Sequence, residues 1–125
     1  MILQSDNTKK KVGAEAEQQA LEFLNRHGLK LIERNYKYKD LGEIDLIMWD
    51  KDMIVFIEVR YRNTQYYGGG LESVTRSKQR KIIRTALQFL QKHQLLENHP
   101  CRFDVLAIAN ENQDIKFDWI KDAFQ

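Results

Sequence analysis

The sequence predicts an α/β domain in which helices flank a mixed β-sheet. A segment with helical periodicity precedes three segments rich in strand-forming residues, and a second helical segment and a further strand follow them. This order, αβββαβ with a possible extra C-terminal strand, is typical of helices packed on a sheet. The 125 residues fit a single domain covering residues 1–125, of which we expect residues 1–9 to be flexible.

Two helices are predicted from apolar spacing and from their end signals. The first carries an apolar stripe that repeats every four residues, formed by Val12, Ala16, Ala20 and Leu24. Gly28 should end it, because glycine readily adopts the left-handed conformation found just after helices. The second helix should begin after Thr75, a favourable N-cap residue, and run to about His93.

The strands are predicted at residues 29–36, 43–49, 54–62 and 102–109, and residues 115–120 are a candidate edge strand. The turn-like Asp50-Lys51-Asp52 joins the second and third strands, which should therefore form a hairpin. Residues 63–70 contain three consecutive glycines and are predicted to be a loop.

The composition predicts a protein of a reducing compartment. The one cysteine, Cys101, excludes an internal disulfide and a cysteine-rich zinc site. The first residues lack the apolar stretch of a signal peptide, and the longest apolar run, residues 53–57, is too short to span a bilayer. We therefore expect a cytoplasmic protein without membrane association.

Two acidic residues lie on the hairpin where its apolar rows become charged. One face of the third strand carries Ile54, Phe56, Glu58, Arg60 and Arg62. One face of the second strand carries Glu43, Asp45, Ile47 and Trp49, and its other face carries Ile44, Leu46 and Met48. If Trp49 faces Ile54 across the turn, Asp45 lies beside Glu58, with Cβ atoms about 4.5–5.5 Å apart.

A close pair of carboxylates has two interpretations. Such groups repel each other unless a cation lies between them, and a hard divalent ion takes oxygen ligands while keeping waters that can hold a phosphate. In the alternative, Asp45 and Glu58 pair with Lys39, Arg60 or Arg62 in a structural salt-bridge cluster. A register shifted by one residue would place the two acids on opposite faces and exclude the metal site.

The hairpin resembles the D…(D/E)-x-K signature of the PD-(D/E)xK nuclease superfamily. Gly42-Glu43-Ile44-Asp45 and Phe56-Ile57-Glu58-Val59-Arg60 carry this similarity. From about residue 10 to residue 110 the chain is similar to the small bacterial YraN-type family of Holliday-resolvase-like proteins. The further landmarks are Gly13, Glu17, Ala20, Arg34-Asn35-Tyr36, Tyr61-Arg62, Val74-Thr75, Lys78 and Arg102-Phe103-Asp104-Val105.

This resemblance implies a restriction-endonuclease-like core with Mg²⁺ or Mn²⁺ at the bend of the strands. Asp45 and Glu58 would be catalytic metal ligands, and the carbonyl oxygen of Val59 would be a further ligand. Glu17 matches the acid that related resolvases carry on the first helix, where it would complete the metal shell. The alternative for Glu17 is an exposed helix glutamate.

Two residues depart from the family pattern. Arg60 replaces the signature lysine at the catalytic site; arginine binds phosphate well, but a guanidinium holds its proton too tightly to act as a general base near neutral pH. Hydrolysis would then depend on a metal-bound water. Ala16 stands where the family usually has glycine, which is a small change within a helix.

The second helix is predicted to bind a nucleic-acid backbone. Arg76, Arg80 and Arg84 recur every four residues on one face, Lys78 and Lys81 lie on its flank, and Arg62 of the third strand joins them. The alternative is an ordinary solvated helix face. No helix-turn-helix or zinc-finger signature indicates recognition of bases.

Three functions remain open from the sequence. The first is an endonuclease that hydrolyses phosphodiester bonds in DNA, including branched DNA, and works as a homodimer if it cuts two strands. The second is a nucleic-acid-binding module that kept the nuclease fold and lost catalysis, as Arg60 suggests. The third is a protein-interaction domain indifferent to nucleic acid.

Overall fold

The computed structural model describes residues 4–63 and 73–125. These residues form α1 (Gln4–Arg26), β1 (Lys30–Tyr38), β2 (Gly42–Asp50), β3 (Met53–Asn63), α2 (Arg76–Lys92), β4 (Cys101–Glu111) and β5 (Asp114–Phe124). The order αβββαββ confirms the predicted α/β fold, which is consistent with a restriction-endonuclease-like core, and the candidate last strand is present. Residues 64–70 of the predicted loop lie outside the described residues.

The five strands form one mixed sheet in the order β1-β2-β3-β4-β5. Neighbouring strands are antiparallel except β3 and β4, which are parallel. A parallel pair needs a long crossover connection, and α2 lies within that connection. The sheet therefore has β1 and β5 as its two edges.

The helices cover opposite faces of the sheet. Alternate residues of β3 belong to two separate cores, since Val55 and Ile57 pack with α1 whereas Ile54 and Phe56 pack with α2. The α1 residues in the first core are Ala16, Ala20, Leu21 and Leu24. The α2 residues in the second core are Ile82, Ala86, Phe89 and Leu90.

The helix ends follow the predicted signals. Gly28 has a φ of 93°, and the N–H of Lys78 donates to the Thr75 hydroxyl oxygen at 3.2 Å. α2 ends at Lys92, with His93 as its C-cap. α1 begins at Gln4, earlier than its apolar stripe indicates. No helix in the described part of the chain is long and apolar enough to cross a membrane.

The predicted register of the β2–β3 hairpin is confirmed. Trp49 pairs with Ile54 and Ile47 pairs with Phe56, and the pairing continues as far as Leu46. The paired residues thus end immediately before Asp45 on β2. The next position on β3 is Glu58, so the two acids lie where the two strands stop pairing.

The predicted row of Ile44, Leu46 and Met48 is wrong at Ile44. Leu46 and Met48 belong to the α1 core, but Ile44 belongs to the α2 core together with Tyr36. Between the pairs Arg34–Leu46 and Tyr36–Ile44, Asn35 has a φ of 53°. A left-handed residue breaks the alternation of side chains along its own strand, and the change of face on β2 between Leu46 and Ile44 lies beside this irregularity of β1.

Candidate active site

A cleft of about 370 Å³ lies between the first turns of α2 and the part of the sheet where β2 and β3 no longer pair with each other. Asp45 and Glu58 line its sheet side, and Lys78 and Lys81 line its helix side. The remaining lining residues are Gly42, Glu43, Thr75, Ser77 and Ile82. The cleft therefore combines the carboxyl groups of Glu43, Asp45 and Glu58 with two ammonium groups, on walls that belong to different layers of the fold.

The Asp45 carboxyl group is held by a backbone N–H of β3 just beyond the paired part of the hairpin. The N–H of Val59 donates to Oδ2 of Asp45 at 2.8 Å, so the aspartate side chain replaces a backbone partner in the ladder. The Asp45 and Glu58 carboxyl groups are hydrogen-bonded to each other. The structure thus brings together the two acids that the register predicted to be neighbours.

The contact between the two carboxyl groups depends on a proton. The pKa of Asp45 is raised from 3.8 to about 8, chiefly by burial and next by the negative charge of Glu58. The hydrogen bond from the Val59 N–H opposes this shift. Two ionised carboxylates cannot donate a hydrogen bond to each other, so one proton must lie between them. The raised pKa of Asp45 favours its protonated form in the metal-free protein.

Glu58 is buried and is neutralised by two cations. Its Oε2 atom lies 2.9 Å from Nη2 of Arg60 and 2.9 Å from Nζ of Lys78. The salt-bridge alternative predicted the contact with Arg60 but not that with Lys78. The Nε atom of Arg60 is buried and has no hydrogen-bond partner within residues 4–63 and 73–125.

Glu17 approaches this acidic centre from α1. It is half-buried rather than exposed, and its carboxylate is hydrogen-bonded to Asn35. Burial raises the pKa of Glu17, and the charges of Glu43 and Glu58 add to this effect. Within the described residues, no group of three His, Cys, Asp or Glu side chains is arranged to hold a metal ion. Glu17 and the Val59 carbonyl as additional ligands stay predictions.

The cations of α2 divide between two neighbouring cavities. Lys78 and Lys81 line the acidic cleft, whereas Arg76 and Arg80 line a second cavity of about 410 Å³ beside the end of β5. Arg84 is exposed one turn further along the helix. The basic face predicted from spacing is thus present, but Lys78 is part of the acidic centre rather than of a separate binding surface.

Sequence reasoning did not identify the parts that Asn35 and Lys78 play in this site. Asn35 has a left-handed backbone conformation beside the position where the β2 side chains change face, and its side chain binds Glu17. The sequence marks Asn35 only as part of Arg34-Asn35-Tyr36, one of the stretches that carry the family resemblance, and indicates no role for its side chain. Lys78 was assigned to backbone binding because helix spacing alone does not reveal which strand residue a side chain reaches.

The fold and the carboxyl pair define an α/β protein with a restriction-endonuclease-like core. The chain belongs to the family described as Uncharacterised protein family UPF0102, whose model matches residues 16–108. This is the YraN-type family that the sequence resembles.

Relatives of similar length carry the same family name. The chain is 50% identical to a UPF0102 protein of Pseudomonas syringae pv. syringae (strain B728a) over 119 residues, which are 94% of this chain and 96% of the relative. It is 47% identical to one of Coxiella burnetii (strain RSA 331 / Henzerling II) over 92% of each chain. It is 50% identical to one of Psychromonas ingrahamii over 99% of this chain and 95% of the relative.

Proposed function

We propose that this protein is a divalent-metal-dependent endonuclease that binds DNA and hydrolyses its phosphodiester bonds. The observation that carries this proposal is the hydrogen-bonded pair of Asp45 and Glu58 in a cleft whose other wall is cationic. Acidic groups suit a metal ion, and ammonium groups suit a phosphate. Hydrolysis of a phosphodiester uses a metal ion and phosphate-binding cations at the same site.

The acidic pair fits a hard divalent ion by the chemistry of its donors. Its two carboxyl groups are held together by a proton, which such an ion would replace with a stronger attraction to both. Asp45 and Glu58 would hold Mg²⁺ or Mn²⁺, and Glu17 and the carbonyl of Val59 are the proposed additional ligands. When bound, the ion supplies an activated water and offsets charge on the phosphate.

The remaining residues of the cleft would bind and orient the substrate. Arg60 fixes the carboxylate of Glu58 through Nη2, and its buried Nε–H has no hydrogen-bond partner among the described residues. Lys81 makes no ion pair with any described residue, so its ammonium is available to a phosphate. Arg60 stays protonated throughout and cannot remove a proton from the attacking water.

The cations of α2 would extend binding along the nucleic-acid backbone. We propose that Arg76, Arg80 and Arg84, together with Arg62 on β3, contact phosphates on either side of the cleft. Backbone contacts carry no base specificity, which suits an enzyme that recognises the shape of branched DNA. A homodimer would present one cleft to each of two strands, and a cytoplasmic location would give access to DNA in a bacterial cell.

The direct test measures cleavage of linear and branched DNA with Mn²⁺. The purified wild type is compared with Asp45→Asn and Glu58→Gln, and Asp118→Asn, which changes an exposed residue of β5, serves as the matched control. We expect both site variants to lose about 100-fold or more in rate and the control to retain full activity. Equal rates in all four preparations would mean that a contaminant cleaves the DNA and that the proposal is wrong.

One observation favours a second function, a nucleic-acid-binding module without catalysis. Arg60 and Lys78 both bind Oε2 of Glu58, the oxygen atom that Glu58 would need for binding a metal ion. Arg60 is also largely buried, so it is hard to displace. This alternative predicts salt-sensitive DNA binding with no turnover. Appearance of cleavage in Arg60→Lys would then identify the arginine as the reason why catalysis was lost.

A further inference from the structure

Two cations bind one oxygen atom of Glu58, but they are held very differently. Arg60 lies two residues away on the same strand, and its side chain is 24% exposed. Lys78 comes from the first turn of α2, and its side chain is 42% exposed. A flexible lysine stem can swing its ammonium into the cleft, whereas the planar guanidinium of Arg60 stays beside the carboxylate.

We propose that Lys78 is an exchangeable cation, which pairs with Glu58 in the metal-free protein and binds a nucleic-acid phosphate when a divalent ion occupies the acidic pair. This inference rests on the proposed function. It makes Lys78 a residue that touches substrate and gives it a second role as the internal competitor of the metal. The exchange needs only rotation about side-chain bonds and changes no protonation state.

The surroundings of Lys78 determine which partner the released ammonium would take. The first turn of α2 contains no acidic residue, so no carboxylate of that turn competes for the ammonium. Thr75, Ser77 and Lys81 line the same cleft and add hydroxyl groups and a second ammonium. The positive end of the helix dipole also lies there. These groups favour an anion from outside the protein, and the oxygens of a phosphodiester suit them.

Charge balance requires the exchange. With Lys78 in place, Oε2 of Glu58 already accepts from two cations, and a divalent ion at the same oxygen would be repelled by both. Departure of Lys78 lowers this repulsion and delivers a positive charge to the side of the cleft where the substrate phosphate would lie. The metal and the phosphate should therefore bind with positive coupling that depends on Lys78.

The test compares Lys78→Gln with wild type in two binding experiments. In the first, Mn²⁺ alone is titrated and bound ion is measured by electron paramagnetic resonance. In the second, affinity for a short DNA duplex is measured by fluorescence anisotropy in EDTA and again with Ca²⁺. Lys78→Arg keeps the charge, and Lys92→Gln removes a lysine from the last turn of the same helix as the matched control.

We expect Lys78→Gln to bind Mn²⁺ several-fold more tightly than wild type. We also expect its DNA affinity to be nearly unchanged in EDTA but about tenfold weaker with Ca²⁺, because only then does wild-type Lys78 contact phosphate. Lys92→Gln should behave as wild type, and Lys78→Arg should bind Mn²⁺ like wild type. Thermal melting establishes that each variant is folded.

Each contrary result has a distinct meaning. Unchanged or weaker Mn²⁺ binding by Lys78→Gln would overturn the exchange, as would an equal loss of DNA affinity in EDTA and in Ca²⁺. If wild type binds Mn²⁺ and shows the expected coupling but cleaves no DNA, the proposed endonuclease function fails while the exchange stands. If wild type binds no Mn²⁺ at all, both proposals are wrong.

Discussion

Gly42 lies directly against Lys81: a methyl group at position 42 would place its carbon atom 3.3 Å from Cβ of Lys81 and 3.4 Å from the hydroxyl oxygen of Thr85. This close approach sets how near α2 lies to the end of β2. It therefore also sets the width of the cleft between Lys78 and the acidic pair. The glycine connects the packing of the helix with the geometry of the candidate active site.

Substitution of Gly42 by alanine should destabilise the protein and weaken the site. The added methyl meets the helix at Cβ of Lys81, so α2 must shift by a few tenths of an ångström. Overpacking of this kind costs about 1–3 kcal/mol. We expect the free energy of unfolding, measured with urea, to fall by that amount, and metal-dependent cleavage to fall with it.

Gly13→Ala is the matched control for this change. Gly13 lies within α1, and a methyl group there would contact nothing within 4 Å. Alanine is the better helix former by roughly 0.5–1 kcal/mol, so this variant should be more stable than wild type. Equal stability of Gly42→Ala and wild type would show that contact at position 42 does not determine how closely α2 packs against β2.

The metal-free protein should become less stable between mildly acidic and mildly alkaline pH because of Asp45. Its pKa is raised in the folded state from 3.8 to about 8, so the folded protein binds a proton there that the unfolded chain releases. The stabilisation is fully present below the unfolded pKa and is lost as the pH rises through the folded pKa. Urea unfolding in EDTA at several values between about pH 5 and pH 8 measures this slope.

Asp45→Asn isolates the contribution of this carboxyl group. The amide oxygen of asparagine can still accept from the Val59 N–H, but the side chain no longer titrates. The difference in unfolding free energy between wild type and Asp45→Asn should decrease as the pH rises. A difference that is independent of pH would mean that the Asp45 proton does not bridge the two carboxyl groups.

DNA binding should be strongly salt-dependent, and the α2 arginines should account for part of that dependence. Each cation that contacts a phosphate contributes about 0.9 to the slope of log affinity against log salt concentration. A double variant that carries Arg76→Gln and Arg80→Gln should therefore show a slope smaller in magnitude by about 1.8 if both arginines contact phosphates. Lys92→Gln should leave the slope unchanged. A slope unaffected by the double substitution would exclude the second cavity from the DNA path.

Asp104→Asn should destabilise the fold without touching the candidate active site. Asp104 is fully buried and accepts from Nε of Arg102 at 3.0 Å, from Nε1 of Trp119 at 2.9 Å and from the N–H of Asp122 at 2.9 Å. Removing its charge leaves the half-buried Arg102 with Asp50 as its one ionic partner among the described residues. We expect a loss of about 3 kcal/mol in urea unfolding followed by tryptophan fluorescence.

Asp118→Asn is a suitable control on the same edge of the sheet. Asp118 is exposed on β5, and such surface substitutions usually change stability by less than about 0.5 kcal/mol. If Asp104→Asn were as stable as this control, the Arg102–Asp104 pair would have no net stabilising effect.

The hairpin register could be predicted because two independent signals agree on it. The turn at Lys51 and Asp52 fixes which residues face each other, and a shift of one residue would turn the apolar rows of both strands to the wrong faces. The pairing of Trp49 with Ile54 follows from both signals. The juxtaposition of Asp45 and Glu58 therefore required no knowledge of distant parts of the chain.

Features that depend on one torsion angle or on the path of a crossover could not be predicted in this way. The left-handed conformation of Asn35 and the change of face at Ile44 beside it both leave no trace in the apolar pattern. The contact between Lys78 and Glu58 depends on how the connection from β3 to β4 places α2. Local sequence patterns hold no information about that path.

The parallel pairing of β3 with β4 has a consequence for the order in which the protein folds. The β2–β3 hairpin is local and can close within microseconds, whereas the docking of α2 and the pairing of Ile54 with Cys101 join parts of the chain that are far apart in sequence and form more slowly. Early folding thus joins the two acids before the lysine from α2 can reach them. Mild acidity should therefore speed refolding, because protonation relieves the repulsion between the acids during that interval.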